Sequence, residues 1–216
     1  MPVIVIDHLT KVYGNQTVLD DVNLVLESGS IYGLVGRNGS GKTMLLKHIC
    51  GFVRPTSGFI SIDGKIIGKD VDIPENMGII IEMPGFLVNY TGFQNLRILA
   101  KIRNRIDNRH IEDTIKLVGL DPSSKKKVGK YSMGMRQRLG LAQALMEDPD
   151  VLLLDEPMNG LDNEGVAEMR SILLAQKEKG KLIMVASHNQ EDIDLLCDEI
   201  YRFDKGRIIE TGVSIT

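Results

Sequence analysis

Eight residues constrain this chain more than any others: Gly36-Arg37-Asn38-Gly39-Ser40-Gly41-Lys42-Thr43, which fit the pattern G-x-x-x-x-G-K-[ST]. The short apolar run Ile31–Val35 stands directly before them, and a helical pattern follows Gly41. A strand, a glycine-rich turn and a helix start, in that order, form a cradle for phosphate. Glycines let successive backbone N–H groups curl around an anion, and the helix N-terminus adds its partial positive charge. In such a loop Lys42 reaches the β- and γ-phosphates and the Thr43 hydroxyl ligates Mg2+. From average residue frequencies the bare pattern arises by chance in roughly one chain of this length in a hundred. The strand–loop–helix setting makes chance rarer still.

Val151-Leu152-Leu153-Leu154-Asp155-Glu156 is a second strand pattern, ending in two carboxylates. Acids at a strand end are common and say little alone. Beside a phosphate loop, Asp155 can hold the Mg2+ shell and Glu156 can polarise an attacking water.

Short apolar runs alternate with longer helical patterns along the chain. Val3–Leu9, Ile31–Val35, Met77–Ile81, Val151–Leu154 and Leu182–Ala186 read as strands, the last four apolar enough for burial on both faces. Helical patterns follow Gly41, span Thr91–Arg103 and Ile111–Val118, and run from Ser132 to Glu147 and from Asn163 to Lys179. In the last, Val166, Met169 and Leu173 share one face and Asp162 is placed to N-cap. This alternation predicts an α/β fold with a mostly parallel sheet covered on both sides. Val3–Ile62 holds more strand than helix, which adds a small N-terminal antiparallel β-subdomain, and a hairpin is expected around Lys205-Gly206-Arg207. Between Met83 and Met146 the pattern is almost entirely helical. A length of 216 residues suits one domain. Its α/β core would comprise residues 1–82 and 147–216, with residues 83–146 as a helical insertion.

Composition narrows the function classes. Lys+Arg 26 against Asp+Glu 29 leaves a net charge of −3, too balanced for electrostatic grip on nucleic acid. No Trp and only 5% aromatic residues argue against a stacking platform for single strands. The run Lys125-Lys126-Lys127 has nothing around it to form a cradle and reads as a solvated loop. Cys50 and Cys197 lie far apart with no C-x-x-C pair, so buried thiols in a reducing cytosol are expected. No stretch approaches the ~20 apolar residues of a membrane-spanning helix. The opening residues lack a basic segment and are interrupted by Asp7, unlike a signal peptide. A cytoplasmic chain is expected, reaching a membrane only through a partner.

With these motifs in order, the chain resembles the nucleotide-binding domain of ATP-binding cassette (ABC) transporters over nearly its whole length. The family's signature segment is matched by Tyr131-Ser132-Met133-Gly134-Met135, followed by Arg136-Gln137-Arg138 and lying 23 residues before Asp155 at Ser132. Glu156-Pro157-Met158-Asn159-Gly160-Leu161-Asp162 ends in what looks like the family's D-loop, and Ser187-His188 resembles its switch histidine. Lys11-Val12-Tyr13-Gly14 resembles the segment whose aromatic ring stacks on adenine, and Gln94-Asn95-Leu96 after Thr91-Gly92 the start of its helical subdomain.

The resemblance implies a P-loop NTPase fold of the ABC type, hydrolysing ATP with Mg2+. Glu156 and His188 would be catalytic, and Thr43, Glu82 and Asp155 would surround the metal. ATP would be held by Tyr13, by Gly36 through Met44 (the loop residues above plus Met44), and by Ser132, Gly134 and Asp162. One chain would hold half of each working site, Lys42 and Glu156 on one protomer and Ser132 and Gly134 on the other. ATP would join two such subunits head to tail, and hydrolysis would release them. Permease subunits, encoded separately, would place the assembly on the inner face of the membrane. A soluble ABC ATPase acting on ribosomes or nucleic acid is the alternative, but such chains usually carry two cassettes or a long coiled-coil insertion. A generic P-loop kinase would not need the signature segment.

Two departures from the family pattern stand out. Met133 and Met135 replace the signature's usual Gly and Gln, leaving Ser132 and Gly134 as the retained phosphate contacts. Glu82 occupies the position of the Q-loop glutamine, 40 residues past Lys42. Both features are similar to the bacteriocin (lantibiotic) immunity and peptide-antibiotic branch of ABC exporters. Glu82 would add a third negative charge beside two carboxylates and a triphosphate. Two like charges about 6 Å apart at an effective dielectric of 20 repel by nearly 3 kcal/mol. The apolar segment Met83-Pro84-Gly85-Phe86-Leu87-Val88-Asn89-Tyr90 follows, where a permease would dock unless these side chains pack into the helical subdomain.

Overall fold

The computed structural model describes residues 2–82 and 85–213. Two sheets run through the described residues. An antiparallel sheet has the order β2-β1-β4-β5, with β1 (Val3–Tyr13), β2 (Gln16–Glu27), β4 (Ser57–Ile62) and β5 (Lys65–Ile66). The larger sheet has the order β10-β9-β3-β8-β7-β6, from β3 (Ile31–Val35), β6 (Met77–Ile80), β7 (Val151–Asp155), β8 (Leu182–Ser187), β9 (Glu199–Asp204) and β10 (Arg207–Val213). Its strands pair in parallel except β10, which returns antiparallel on β9 through the turn at Lys205-Gly206.

The helices are α1 (Lys42–Ile49), α2 (Gly92–Arg103), α3 (Asn108–Leu117), α4 (Met133–Leu145), α5 (Asn163–Glu178) and α6 (Gln190–Leu196), with a 3-10 turn at Val128–Lys130. β3, β7 and β8 are buried at every position. Alternate residues face two cores: Leu152, Leu154 and Ile183 meet α2 to α6, whereas Val151, Leu153 and Met184 meet α1 and the antiparallel sheet. That two-sided burial is the reason these strands read as unbroken apolar runs.

Strand β1 runs four residues past the predicted Leu9. Its core-facing residues are Ile4, Ile6 and Leu9, so the alternation slips once; the pairing register shifts between Ile6 and Leu9, where His8 adopts φ 48°. A β-bulge of this kind hides a strand from a strict period-2 reading. The helix ends have local causes. Thr91 and Gln94 form a reciprocal capping box on α2, Asp107 caps α3, and Asp162 caps α5 by accepting from Gly165 N at 2.9 Å. Gly78 on β6 lets α4 approach: a Cβ there would stand 2.1 Å from the Ala144 carbonyl oxygen. Both cysteines are free and buried, and burial pushes the Cys50 thiol up to about 12.

Candidate active site

The C-terminal ends of β3, β8, β7 and β6 lie side by side, and each is followed by a segment singled out above: the phosphate loop, Ser187-His188, Asp155-Glu156 and Glu82. Crevices at the carboxyl ends of parallel strands are where open α/β sheets bind ligands.

The phosphate loop is built to hold an anion. Gly39 and Gly41 adopt φ 79° and 115°, values in the left-handed region that only glycine takes without strain. Gly41 caps α1 without a side chain, leaving the first N–H groups of that helix to the ligand. The loop is braced from behind by the β9–β10 hairpin, where Gly206 N donates to Ser40 O at 2.8 Å. Gly206 O in turn accepts from Asp20 N at 2.9 Å, which ties in β2. Lys42 is 5% exposed and its Nζ donates to the carbonyls of Gly36 (2.6 Å) and Arg37 (3.3 Å). Among the described residues the buried Ser40 Oγ has no hydrogen-bond partner. A buried hydroxyl left unsatisfied is costly, and a phosphate oxygen in the loop would satisfy it. Met44 sits in the first turn of α1, packed against the core below.

At the end of the loop, Thr43 Oγ1 donates across to Asp155 Oδ2 at 2.7 Å. Hydroxyl and carboxylate oxygens are the donors a hard cation such as Mg2+ takes. Burial pushes the Asp155 carboxyl up, with Glu156 and Glu82 adding repulsion while Thr43 and Lys42 pull the other way. Burial pushes Lys42 down, opposed by Glu156 and Asp155. The next residue, Glu156, sits at φ 50°, a strained conformation for a non-glycine residue. Its Oε1 is 2.8 Å from His188 Nδ1 and its Oε2 accepts from Ser187 Oγ at 3.3 Å. With the proton on Nδ1, His188 donates to the carboxylate and keeps Nε2 free. Nothing in the sequence marks Ser187 for this role beyond its place between a strand end and His188.

Glu82 lines one cleft together with Asp155 and Glu156, but its carboxylate does not join Thr43 and Asp155. Its Oε1 pairs with Lys47 Nζ at 2.5 Å, and its side chain is 66% exposed. Lys47 follows Thr43 by one helical turn on α1, so this lysine supplies the counter-charge that the third carboxylate needs.

Ser132 and Gly134 stand apart from the phosphate loop, at the start of α4. Ser132 Oγ caps the helix by accepting from Met135 N at 3.2 Å, and a Cβ on Gly134 would come 2.9 Å from Gly160 O. Between this helix start and the acids lies a cleft of about 460 Å3, lined by Tyr131, Met133, Arg136 and Gln137 on one side and Asp155 and Glu156 on the other. Asp162 spends its carboxylate on capping α5. Tyr13 ends β1, half exposed, with Lys11 Nζ 4.7 Å from the ring centroid. Its hairpin lies beside the loop: Val18 O would be 3.1 Å from a Cβ on Gly41.

The segment from Met83 to Tyr90 divides. Met83 and Pro84 lie outside the described residues. Phe86 packs against the helical core, whereas Leu87, Val88 and Tyr90 are 44–54% exposed. Buried Asn95 holds the loop, accepting from Leu87 N at 2.8 Å and donating to Leu87 O and Thr91 O.

A P-loop after β3, a carboxylate pair at the end of β7 two strands away, and a histidine from the intervening β8 on the second acid define a nucleotide-hydrolysing domain. The family model for ABC transporters matches residues 19–159, and the chain belongs to that family as its ATP-binding, ATP-hydrolysing subunit. It is 47% identical over 201 residues to the ABC transporter ATP-binding protein YybJ of Bacillus subtilis (strain 168), covering 93% of this chain and 92% of that protein. It is 42% identical over 204 residues to the bacitracin transport ATP-binding protein BcrA of Bacillus licheniformis, covering 94% of this chain and 67% of BcrA. In fold it matches the dimeric structure of MJ0796, a bacterial ABC transporter cassette, with a TM-score of 0.89 at 21% identity over 99% of each chain. Cassettes of this family dimerise and work with membrane permeases. No described helix is long and apolar enough to cross a membrane.

Proposed function

We propose that this chain powers export of a peptide antibiotic through a separate permease, by ATP-driven head-to-tail pairing of two subunits on the inner face of the membrane. The observation that carries the chemistry is the Thr43–Asp155 hydrogen bond next to the Glu156–His188 pair, at the mouth of the phosphate loop. In this reading Thr43 and Asp155 would hold Mg2+, which would supply positive charge to offset that of the triphosphate. Lys42 leaves the loop carbonyls for the phosphate oxygens, and the unpartnered Ser40 hydroxyl gains a partner. Glu156 accepts the proton of the attacking water, oriented by Ser187 and His188, and His188 Nε2 is free to meet the γ-phosphate. Ser132 and Gly134 present the N-terminus of α4 to the nucleotide of the other subunit, and Tyr13 stacks on adenine. The match to a bacitracin transport protein and the glutamate at position 82 support a peptide-antibiotic substrate class.

The permease docks on the exposed part of the segment after Glu82. Leu87, Val88 and Tyr90 are open to solvent, and α2 adds Ile98 and Ile102, one turn apart and exposed. Asn95, which holds Leu87, precedes Ile98 by one helical turn. Leu87→Ser with Val88→Ser should abolish co-purification with the permease, and protection of a sensitive host against the peptide, while the isolated subunit keeps its ATPase rate. Retained co-purification would move the docking site elsewhere. Phe86 is unsuited to this test because its loss opens the core.

The Glu82 end of the Lys47–Glu82 pair is exposed and the Lys47 end half-buried, so the solvent-screened pair should contribute no more than about 1 kcal/mol to stability. Glu82→Gln should therefore fold normally and hydrolyse ATP within about tenfold of the wild-type rate. Its Mg2+ dependence should shift and its transport coupling weaken, because the variant removes the carboxylate that Lys47 now offsets. Superimposable Mg2+ titrations with unchanged transport would leave the carboxylate without a role.

A further inference from the structure

The backbone of Glu156 is pinned from three directions. Its N–H donates to Ala186 O on β8 at 2.8 Å, and its carbonyl accepts from Asn159 N at 3.2 Å. The third contact comes from outside the α/β core: Gln137 Nε2, on the second turn of α4, donates to the same Glu156 carbonyl at 3.2 Å. Gln137 is 9% exposed and reaches across one end of the cleft that separates α4 from the acids. A polar side chain on the core-facing side of a helix needs such a partner, and here the partner is the backbone of the residue held at φ 50°. A left-handed conformation at a non-glycine residue persists only where its surroundings over-determine it.

The start of α4 is tied to the same loop a second time. Met133 packs on Gly160, and Gly134 is close enough to Gly160 that a Cβ would crowd its carbonyl. Any displacement of α4 is therefore delivered to the segment 156–160 at both ends, at Gly160 by packing and at Glu156 by a directed hydrogen bond.

We propose that Gln137 is a positioning residue for the hydrolytic reaction: it couples the placement of α4 to the placement of the Glu156 carboxylate. This rests on the reading above, in which Glu156 is the base and the first turn of α4 meets the other subunit's nucleotide. Under it, engagement of α4 with a nucleotide across the dimer sets the base in the subunit's own site, and the two sites are linked through one amide.

Gln137→Met keeps the length of the side chain and removes the donor. The expected result is a kcat about 10–100-fold lower, the range for a misplaced catalytic group. KM for ATP should stay within about twofold and the melting temperature should hold. Added to Glu156→Gln, Gln137→Met should leave the ATP-dependent dimer fraction unchanged, since that background no longer needs a placed base. Gln137→Glu is the second variant. A protonated carboxyl can donate to the Glu156 carbonyl and a carboxylate cannot, so its kcat relative to wild type should rise as pH falls. A wild-type kcat in Gln137→Met would overturn the proposal. So would a loss of kcat matched by an equal loss of dimer in the double variant, or a flat relative pH profile for Gln137→Glu. Normal turnover in Glu156→Gln alone would instead overturn the assignment of the base.

Discussion

Glu156→Gln should lower steady-state ATP hydrolysis by about 10²–10⁴-fold, the usual contribution of a positioned general base, while ATP still binds. The substitution keeps the shape and one carbonyl oxygen to accept from His188 Nδ1, now 2.8 Å away, and its new amide NH2 can donate to Ser187 Oγ in place of the bond that the carboxylate accepts. It removes the basicity and the negative charge beside Asp155 and Lys42. The backbone at φ 50° is held at its own N–H and carbonyl by Ala186 O, Asn159 N and the Gln137 side-chain amide, so glutamine can occupy it without a new steric cost. With binding intact and hydrolysis blocked, an ATP-bound dimer should accumulate and be visible by light scattering. Ordinary turnover in this variant would remove Glu156 from the chemistry.

Gly36→Ala should cost both stability and nucleotide binding. A Cβ on Gly36 would meet the Phe203 carbonyl oxygen at 2.3 Å and Ser40 Oγ at 2.7 Å. The first neighbour is backbone of β9 and cannot swing aside, so the loop must shift as a unit away from the strand behind it. Overpacking of this kind costs about 1–3 kcal/mol, and each kcal/mol lowers the melting temperature of a domain this size by about 2–4 °C. The same shift opens the cradle, and ATP affinity should fall at least about tenfold, because donors displaced by a fraction of an ångström no longer converge on one anion. Gly39→Ala is the control. Open space surrounds Gly39, so only the strain of its φ of 79° applies, about 1 kcal/mol. Calorimetry and equilibrium ATP binding on the two variants separate collision from conformation. Equal effects would mean that the hairpin behind Gly36 yields.

Much of the fold was legible because burial on two faces writes itself into composition. β3, β7 and β8 are apolar throughout, and each ends within one residue of where the apolar run stops. Capping made some helix starts legible, since Thr91 and Asp162 are the residue types that satisfy orphan N–H groups. Elements without such signals were missed or shortened. The bulge at His8 broke the alternation of β1, and α6 is seven residues long with no strong apolar stripe. The division of the segment after Glu82, with Phe86 inward and Leu87 and Val88 outward, depends on Asn95, whose buried amide has no periodic signature.

Sequence alone determined the identity of the chemistry. The phosphate loop, the two acids, the signature segment and the histidine each need particular residue types at fixed local spacing, and local spacing is what a sequence records. Tertiary structure decided how those pieces act on one another. The Lys47–Glu82 pair, the hydroxyl of Ser187 on Glu156, and the amide of Gln137 reaching a left-handed backbone all join residues at least 19 positions apart. They form because neighbouring parallel strands bring their carboxyl ends together and α4 packs across them. Charge and hydrogen-bond partners at such distances are set by packing, which no stretch of sequence states by itself.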